Sequence, residues 1–267
     1  MTLERIGRFS RVSSGRRLVK LGIQAFDEHI RGFPINSTIL LIGDPGSGFI
    51  EFLHQILIAR TDAGAKISYV SLDLPKSEIM YDLSVYNWNN VPWDTMAESW
   101  NFTDLSPSSS QSSDRKGILW ESDAVNLLTH NLIRQINEIK EQMKSDLSGG
   151  PISLDSVVNS LSSILLKSDL RTVLGFINEL SVAIRETGGL HFLVLVKGIH
   201  GLDVEKALAH YVDCVLEFTL RQTAGKFERI MGVMKMRGVP MPPTQTYPIE
   251  FTSTGVRPEP TERLRGR

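Results

Sequence analysis

The chain has 267 residues, 41% of them hydrophobic, with 29 Lys and Arg against 30 Asp and Glu, a formal net charge of -1. That is enough apolar material for one sizeable core, which excludes a disordered tail protein. The near balance of charge excludes a uniformly basic nucleic-acid coat, so any electrostatic partner is met by a local patch.

The one cysteine, Cys214, cannot form an internal disulfide or a multi-cysteine metal site, which fits a reducing compartment. No run of about 18 apolar residues occurs, and Met1 to Lys20 carries arginines without an apolar stretch. The expectation is a cytoplasmic protein with no membrane partner.

Residues 1–20 form a basic arm, with Arg5, Arg8, Arg11, Arg16, Arg17 and Lys20 against Glu4. Such an arm suits nucleic acid or an acidic face of a neighbouring subunit, and with only Phe9 as an aromatic platform a solvated or subunit-docking arm is favoured. A domain is expected over 21–256. Its first clear strand is Thr38 to Ile42, short, apolar and bounded by turn residues, as a strand buried on both faces would be.

This strand runs into Gly43-Asp44-Pro45-Gly46-Ser47-Gly48, after which Phe52, Leu53, Ile56, Leu57 and Arg60 keep helical spacing as far as Gly64. A second strand, Ile67 to Leu72, ends at Asp73. A helix over about Ser77 to Tyr86 and the aromatic stretch Trp88 to Trp93 follow. The order β-α-β-α predicts an α/β fold with a mainly parallel sheet.

Ser106 to Asp114 is too serine-rich to pack and reads as a mobile loop. From about Ser122 to Leu147, Val125, Leu128, Leu132, Ile136, Ile139 and Met143 form one helical stripe, which either packs on the domain's own sheet or docks a partner helix. A short strand ending at Asp155 and helices over Val157 to Leu166 and Asp169 to Glu186 come next. His191 to Val196 is the strongest buried strand. Strands near Cys214 to Leu220, Ile230 to Met236 and Pro248 to Thr252 follow consecutively, so an antiparallel edge is expected at this end, then a loose tail over 257–267.

Gly43 and Gly48 have the spacing of a GxxxxGK[ST] phosphate loop between a strand and a helix. Glycines there let backbone N–H groups converge on a phosphate, helped by the helix dipole. The next two positions should hold a lysine for the phosphates and a hydroxyl for Mg²⁺. Here they are Phe49 and Ile50. Each lost contact is worth about 1.5–3 kcal/mol, so binding would weaken by roughly two to four powers of ten.

These residues carry a resemblance. Gly22-Ile23, Phe26-Asp27, Ile30, Gly32-Phe33-Pro34 and the GDPGSG loop, with Lys235-Met236-Arg237-Gly238, Tyr247 to Thr252 and Gly255-Val256 near the other end, resemble KaiC-like domains of the RecA superfamily. The resemblance spans roughly 16–256, with an atypical middle. It implies a RecA-like P-loop NTPase fold, a central mostly parallel sheet flanked by helices, and ring-type assembly with nucleotide at subunit interfaces.

By the same resemblance Asp155 takes the place of the Walker B aspartate that holds Mg²⁺, or alternatively caps the following helix. Asp73-Leu74 stands where the family has a catalytic glutamate pair, keeping one shortened carboxylate. Lys235 and Arg237 resemble residues that reach a neighbouring subunit's nucleotide, and otherwise are solvated charges at a strand end. With three parts of one mechanism altered, the expected function is a degenerate KaiC-like protein. It would be a regulatory or structural subunit of a homo- or hetero-oligomer with RecA-like subunits, one of them an ATPase-competent paralogue. No cofactor is required, ATP or ADP with Mg binding weakly at most through Gly43, Asp44, Pro45, Gly46, Ser47, Gly48, Phe49, Ile50 and Asp155. The alternatives are a weak ATPase with Asp73 as its catalytic group, and a recombinase-like paralogue holding DNA through the basic arm.

Overall fold

The computed structural model describes residues 17–86, 96, 98–107, 124–145, 153–223, 225–241 and 245–259. Strands β1 (Leu18–Val19) and β2 (Phe33–Pro34) pair antiparallel around helix α1 (Gln24–Ile30). The turn into α1 is fixed by Asp27, whose two carboxylate oxygens accept from the N–H groups of Leu21 and Gly22 at 2.9 and 2.8 Å. Then come β3 (Ser37–Gly43), α2 (Phe49–Asp62), β4 (Lys66–Ser71), α3 (Lys76–Val85) and β5 (Trp100–Asp104). The long helix α4 (Ala124–Ser145) leads to β6 (Leu154–Asn159), α5 (Leu161–Leu165), α6 (Leu170–Ala183) and β7 (Leu190–Val196). Helix α7 (Leu202–Tyr211), β8 (Cys214–Thr223), β9 (Lys226–Met236), β10 (Thr246–Thr252) and β11 (Gly255–Pro258) complete the chain.

One nine-stranded sheet runs in the order β11-β10-β9-β8-β3-β7-β6-β4-β5. From β8 to β5 the neighbours are parallel, and from β8 to β11 they are antiparallel. The mostly parallel sheet with an antiparallel end is the architecture expected from the element order. Long crossovers through helices permit parallel neighbours, and the short turns after β8 and after β10 enforce hairpins.

Helices cover both faces of the sheet. Phe26, Phe52, Ile56, Tyr69, Phe192 and Phe218 form a core with α1 to α3, and Leu40, Ile42, Val158 and Leu193 meet α4 to α7 through Leu132, Ile136, Phe176 and Ile177. The α4 stripe is thus spent on the domain's own sheet. Burial on both faces accounts for the unbroken apolar runs of β3 and β7.

Several boundaries differ from the sequence expectation. The strand expected to end at Asp155 instead begins at Leu154 and runs through Val157 to Asn159, so the helix placed on Val157 to Leu166 shrinks to Leu161–Leu165. Its two valines are buried between two parallel neighbours, β4 and β7, and tertiary pairing decides a segment too short for periodicity to settle. Arg257 and Pro258 belong to β11 rather than to a tail, and Leu18–Val19 of the basic arm join the fold. Ser106 is buried, its hydroxyl donating to Asp104 Oδ1 at 2.7 Å. Residues 108–114 of the serine-rich stretch, the aromatic stretch 88–93 and residues 1–16 lie outside the described residues.

Candidate functional site: the strand-loop-helix around Gly43 to Ile50

Strand β3 delivers the glycine loop to the C-terminal end of the parallel sheet, where Gly48 in the left-handed region (φ 90°) starts α2. The loop is held from β8: Asp44 N–H donates to Phe218 O at 3.0 Å, and its carboxylate accepts from Leu220 N–H at 2.8 Å. Inside the loop Ser47 N–H donates to Asp44 O at 3.0 Å.

Phe49 does not point into solvent. Its side chain is buried, tilted against Phe218 with ring centroids 6.5 Å apart, and packed beneath Gly43. A Cβ on Gly43 would fall 2.6 Å from Phe49 Cγ, so only glycine tolerates this ring. Ile50 is half-buried against the same core.

Two side chains from the antiparallel end close the loop from the other direction. Arg229 of β9 donates through Nε to Gly46 O at 2.9 Å and lies 4.8 Å over the ring of Phe251 in β10. The Phe251 ring in turn stands against Gly48, whose added Cβ would meet Cζ at 2.8 Å. Arg229 carries no motif in the sequence, and Phe251 lies in the Tyr247 to Thr252 run that carries the resemblance without a role at the loop being readable from it.

Lys197, just after β7, is tied to the loop through its backbone. Its backbone N–H donates to Gly43 O at 2.9 Å, while its Nζ pairs with Glu217 and donates to Thr219 Oγ1 at 3.2 Å. Asp73, just beyond β4, is likewise engaged: Ser160 Oγ donates to one carboxylate oxygen at 2.6 Å and Ser163 Oγ to the other.

Asp155 is a correction. Register places it at the start of β6, level with Leu190 and Ser37 and so about 20 Å along the sheet from Gly43. It is fully buried and paired with Arg60 of α2 through Nε at 2.7 Å and Nη2 at 3.1 Å, and it accepts from Leu190 N–H at 2.9 Å. It therefore neither caps the next helix nor faces the loop, and an expected Mg²⁺ ligand is an internal counter-ion. Among the described residues no group of three or more His, Cys, Asp or Glu is arranged to hold a metal.

The C-terminal end of β6, nearer the loop, carries Asn159 instead. Its Nδ2 donates to Tyr69 Oη at 3.0 Å, and that hydroxyl also meets His54 Nε2 of α2 at 3.3 Å. Burial lowers the His54 pKa to about 4, so the imidazole is neutral at pH 7. Burial likewise raises the pKa of the Tyr69 hydroxyl. The chain of three links α2, β4 and β6 beneath the loop.

Lys235 and Arg237 part company. Lys235 Nζ donates to the carbonyls of Ala209, His210 and Val212 at 2.9, 2.8 and 2.7 Å, closing the C-terminus of α7 within its own chain. Burial lowers its pKa below the ordinary lysine range. Arg237 is 68% exposed, with Nη1 3.8 Å from Asp213 Oδ1, at the end of the sheet opposite the chain's own loop.

A Mg²⁺-bound nucleotide asks of this loop an ammonium, a hydroxyl and open backbone N–H groups. At the positions of the ammonium and the hydroxyl stand a buried phenylalanine and a half-buried isoleucine, which supply neither, so these side chains do not fit it.

Comparison with known proteins places these features in a family. Residues 19–262 match the family described as "ATPase: KaiC". Among solved structures the chain is similar to the KaiC-like protein PH0186 from the hyperthermophilic archaeon Pyrococcus horikoshii OT3, with a TM-score of 0.67 and 20% identity over 91% of this chain and 99% of that one. No curated protein matches. The mixed sheet, the loop after β3 and a match over most of the length agree: the chain belongs to the KaiC family of RecA-like ATPase domains.

Proposed function

We propose that this chain is a KaiC-type subunit whose phosphate loop is a structural element, and that it serves as a regulatory or structural member of a RecA-like oligomer while binding and hydrolysing ATP feebly or not at all. The observation that carries this reading is the Phe49 ring buried under Gly43, with Phe251 on Gly48 from the other side. A polyanion would enter only by displacing aromatic rings from apolar contacts, with no lysine in return.

The test is thermal unfolding with Mg-ATP. A nucleotide at about 1 mM and a dissociation constant near 10 µM adds nearly 3 kcal/mol of stability, a large shift. No shift is expected here, and a large one overturns the reading. Slow turnover abolished by Asp73→Ala would instead favour a weak ATPase.

The exposed Arg237 supports a role toward another subunit's nucleotide. An arginine supplied across an interface is worth about 10³–10⁵ in rate. Mixing this chain with a KaiC-type subunit that has a complete phosphate loop should raise that subunit's ATPase rate, and Arg237→Ala should remove the rise without preventing assembly.

A further inference from the structure

At the end of the sheet opposite the glycine loop lies a cavity of about 510 Å³ between α6, the β2–β3 turn and the α7–β8 junction. Three arginines from separate parts of the chain line it: Arg17 before β1, Arg185 just after α6 and Arg237 after β9. Their positions are set by ordered backbone, since Arg17 O accepts from Ile35 N–H at 3.0 Å, Arg185 N–H donates to Val182 O at 3.3 Å and Arg237 N–H donates to Asp213 O at 2.9 Å.

Among the described residues the cavity has one carboxylate, Asp213, and it is already shared. Its Oδ2 accepts from Thr38 N–H and Oγ1, both at 3.2 Å, and Arg237 stands 3.8 Å from Oδ1. Arg17 and Arg185 make no ion pair among the described residues. Three guanidinium groups around one acid that is already engaged leave a positive concavity on a chain whose overall charge is -1. The cavity along α4 has the opposite balance, Arg134 facing Glu138, Glu141 and Glu179.

Guanidinium forks match phosphate oxygens two at a time, and a volume in the range of about 300–1,000 Å³ holds a small ligand. Tyr211, 44% exposed on the rim, offers an aromatic face to a base. We propose that this cavity is a binding site for a polyphosphate chain, that of a nucleoside di- or triphosphate, distinct from the glycine loop. The site stands whether or not that loop takes nucleotide. The phosphates are those of a free ligand; a nucleotide displayed by an adjoining subunit, the role proposed above for Arg237, offers the same chemistry and is separated by the experiment.

The experiment titrates the full chain with inorganic tripolyphosphate by calorimetry at low salt. One site is expected. Arg185→Ala and Arg17→Ala, both exposed positions, should each weaken it about ten- to a hundredfold, with Arg185→Lys intermediate because the charge stays while the fork goes. Arg257→Ala removes an exposed arginine held by Glu250 and Glu259 on the β11 edge and should leave affinity unchanged. Equal loss in Arg257→Ala would mean diffuse charge attraction and overturn the site, as would undiminished binding by Arg185→Ala. A second arm adds a nucleotide-loaded KaiC-type subunit. If Arg185→Ala weakens that association and tripolyphosphate competes with it, the phosphates are the neighbour's; if tripolyphosphate binds without disturbing it, the ligand is free. Binding in neither arm ends the proposal.

Discussion

Asp155 and Arg60 form a buried pair of two hydrogen bonds, 2.7 and 3.1 Å, that ties the last turn of α2 to the first residues of β6. Arg60 Nη2 also donates to Ser153 Oγ at 2.8 Å, and Gly189 passes so close that a Cβ there would meet Asp155 Oδ1 at 2.5 Å. Removing one partner strands the other charge without solvent. Asp155→Ala should therefore lose about 3–5 kcal/mol in urea denaturation, whereas replacing both partners by apolar residues, Arg60→Met with Asp155→Leu, should recover much of that loss. A metal ligand would behave otherwise, its loss mattering only when Mg²⁺ is present.

Phe49→Ala empties the space under Gly43. The expected cost is about 3–5 kcal/mol, as for other buried aromatic truncations, read from the denaturation midpoint. Phe49→Lys with Ile50→Thr should restore no nucleotide binding, because Arg229 and Phe251 still cover Gly46 and Gly48; adding Phe251→Ala to that pair is the combination expected to bind.

Lys235 and Arg237 should separate cleanly in stability. Lys235→Met strips three carbonyls at the end of α7 of their donor and should cost about 1–3 kcal/mol. Arg237→Ala, mostly in solvent, should stay within about 0.5 kcal/mol. Equal effects on the thermal midpoint would contradict the division of roles.

Acid should destabilise the domain through its buried histidines. Burial holds His54 at about 4 and His191 at about 3, the latter between Ser156 Oγ at 2.8 Å and Thr187 Oγ1 at 2.9 Å. Both are neutral in the fold, while the unfolded chain protonates them below about pH 6.5. The unfolded state thus binds more protons between about pH 6.5 and those depressed values. The stabilisation is complete above that window and is lost as pH falls through it, at about 1.4 kcal/mol per unit for each histidine. His191→Gln should flatten the fall between pH 6.5 and 5; an unchanged slope would place the acid sensitivity elsewhere.

The parallel core could be read from the sequence because β3, β7 and the helices beside them carry long, unmixed signals: apolar runs for strands buried on both faces and three-to-four spacing for α4 and α6. The segment Ser153 to Leu165 misled because its acid, hydroxyls and amide mask a central strand. Asp155 is compatible with burial only through Arg60, 95 residues away, and no local pattern announces a partner at that distance. The contacts of Lys235 are hidden from local pattern for the same reason, since its three acceptors sit at the end of α7, more than 20 residues before it. The loop itself was recognisable, but the inward turn of Phe49 and the cover by Arg229 and Phe251 depend on β8 to β10 folding back over residues 43–48.

That cover has a consequence for how the protein behaves as cellular conditions change. A nucleotide-dependent domain gains stability from its ligand, so its unfolding and turnover follow the ATP-to-ADP ratio. Here the loop's shape is fixed by hydrogen bonds from Leu220 and Arg229 and by two phenylalanine rings, all supplied by the same chain. On the function proposed above, the folded population of such a subunit would not follow the energy charge of the cell. In the proposed oligomer it would hold one conformation while nucleotide-binding neighbours cycle, a fixed reference against which their movements are transmitted.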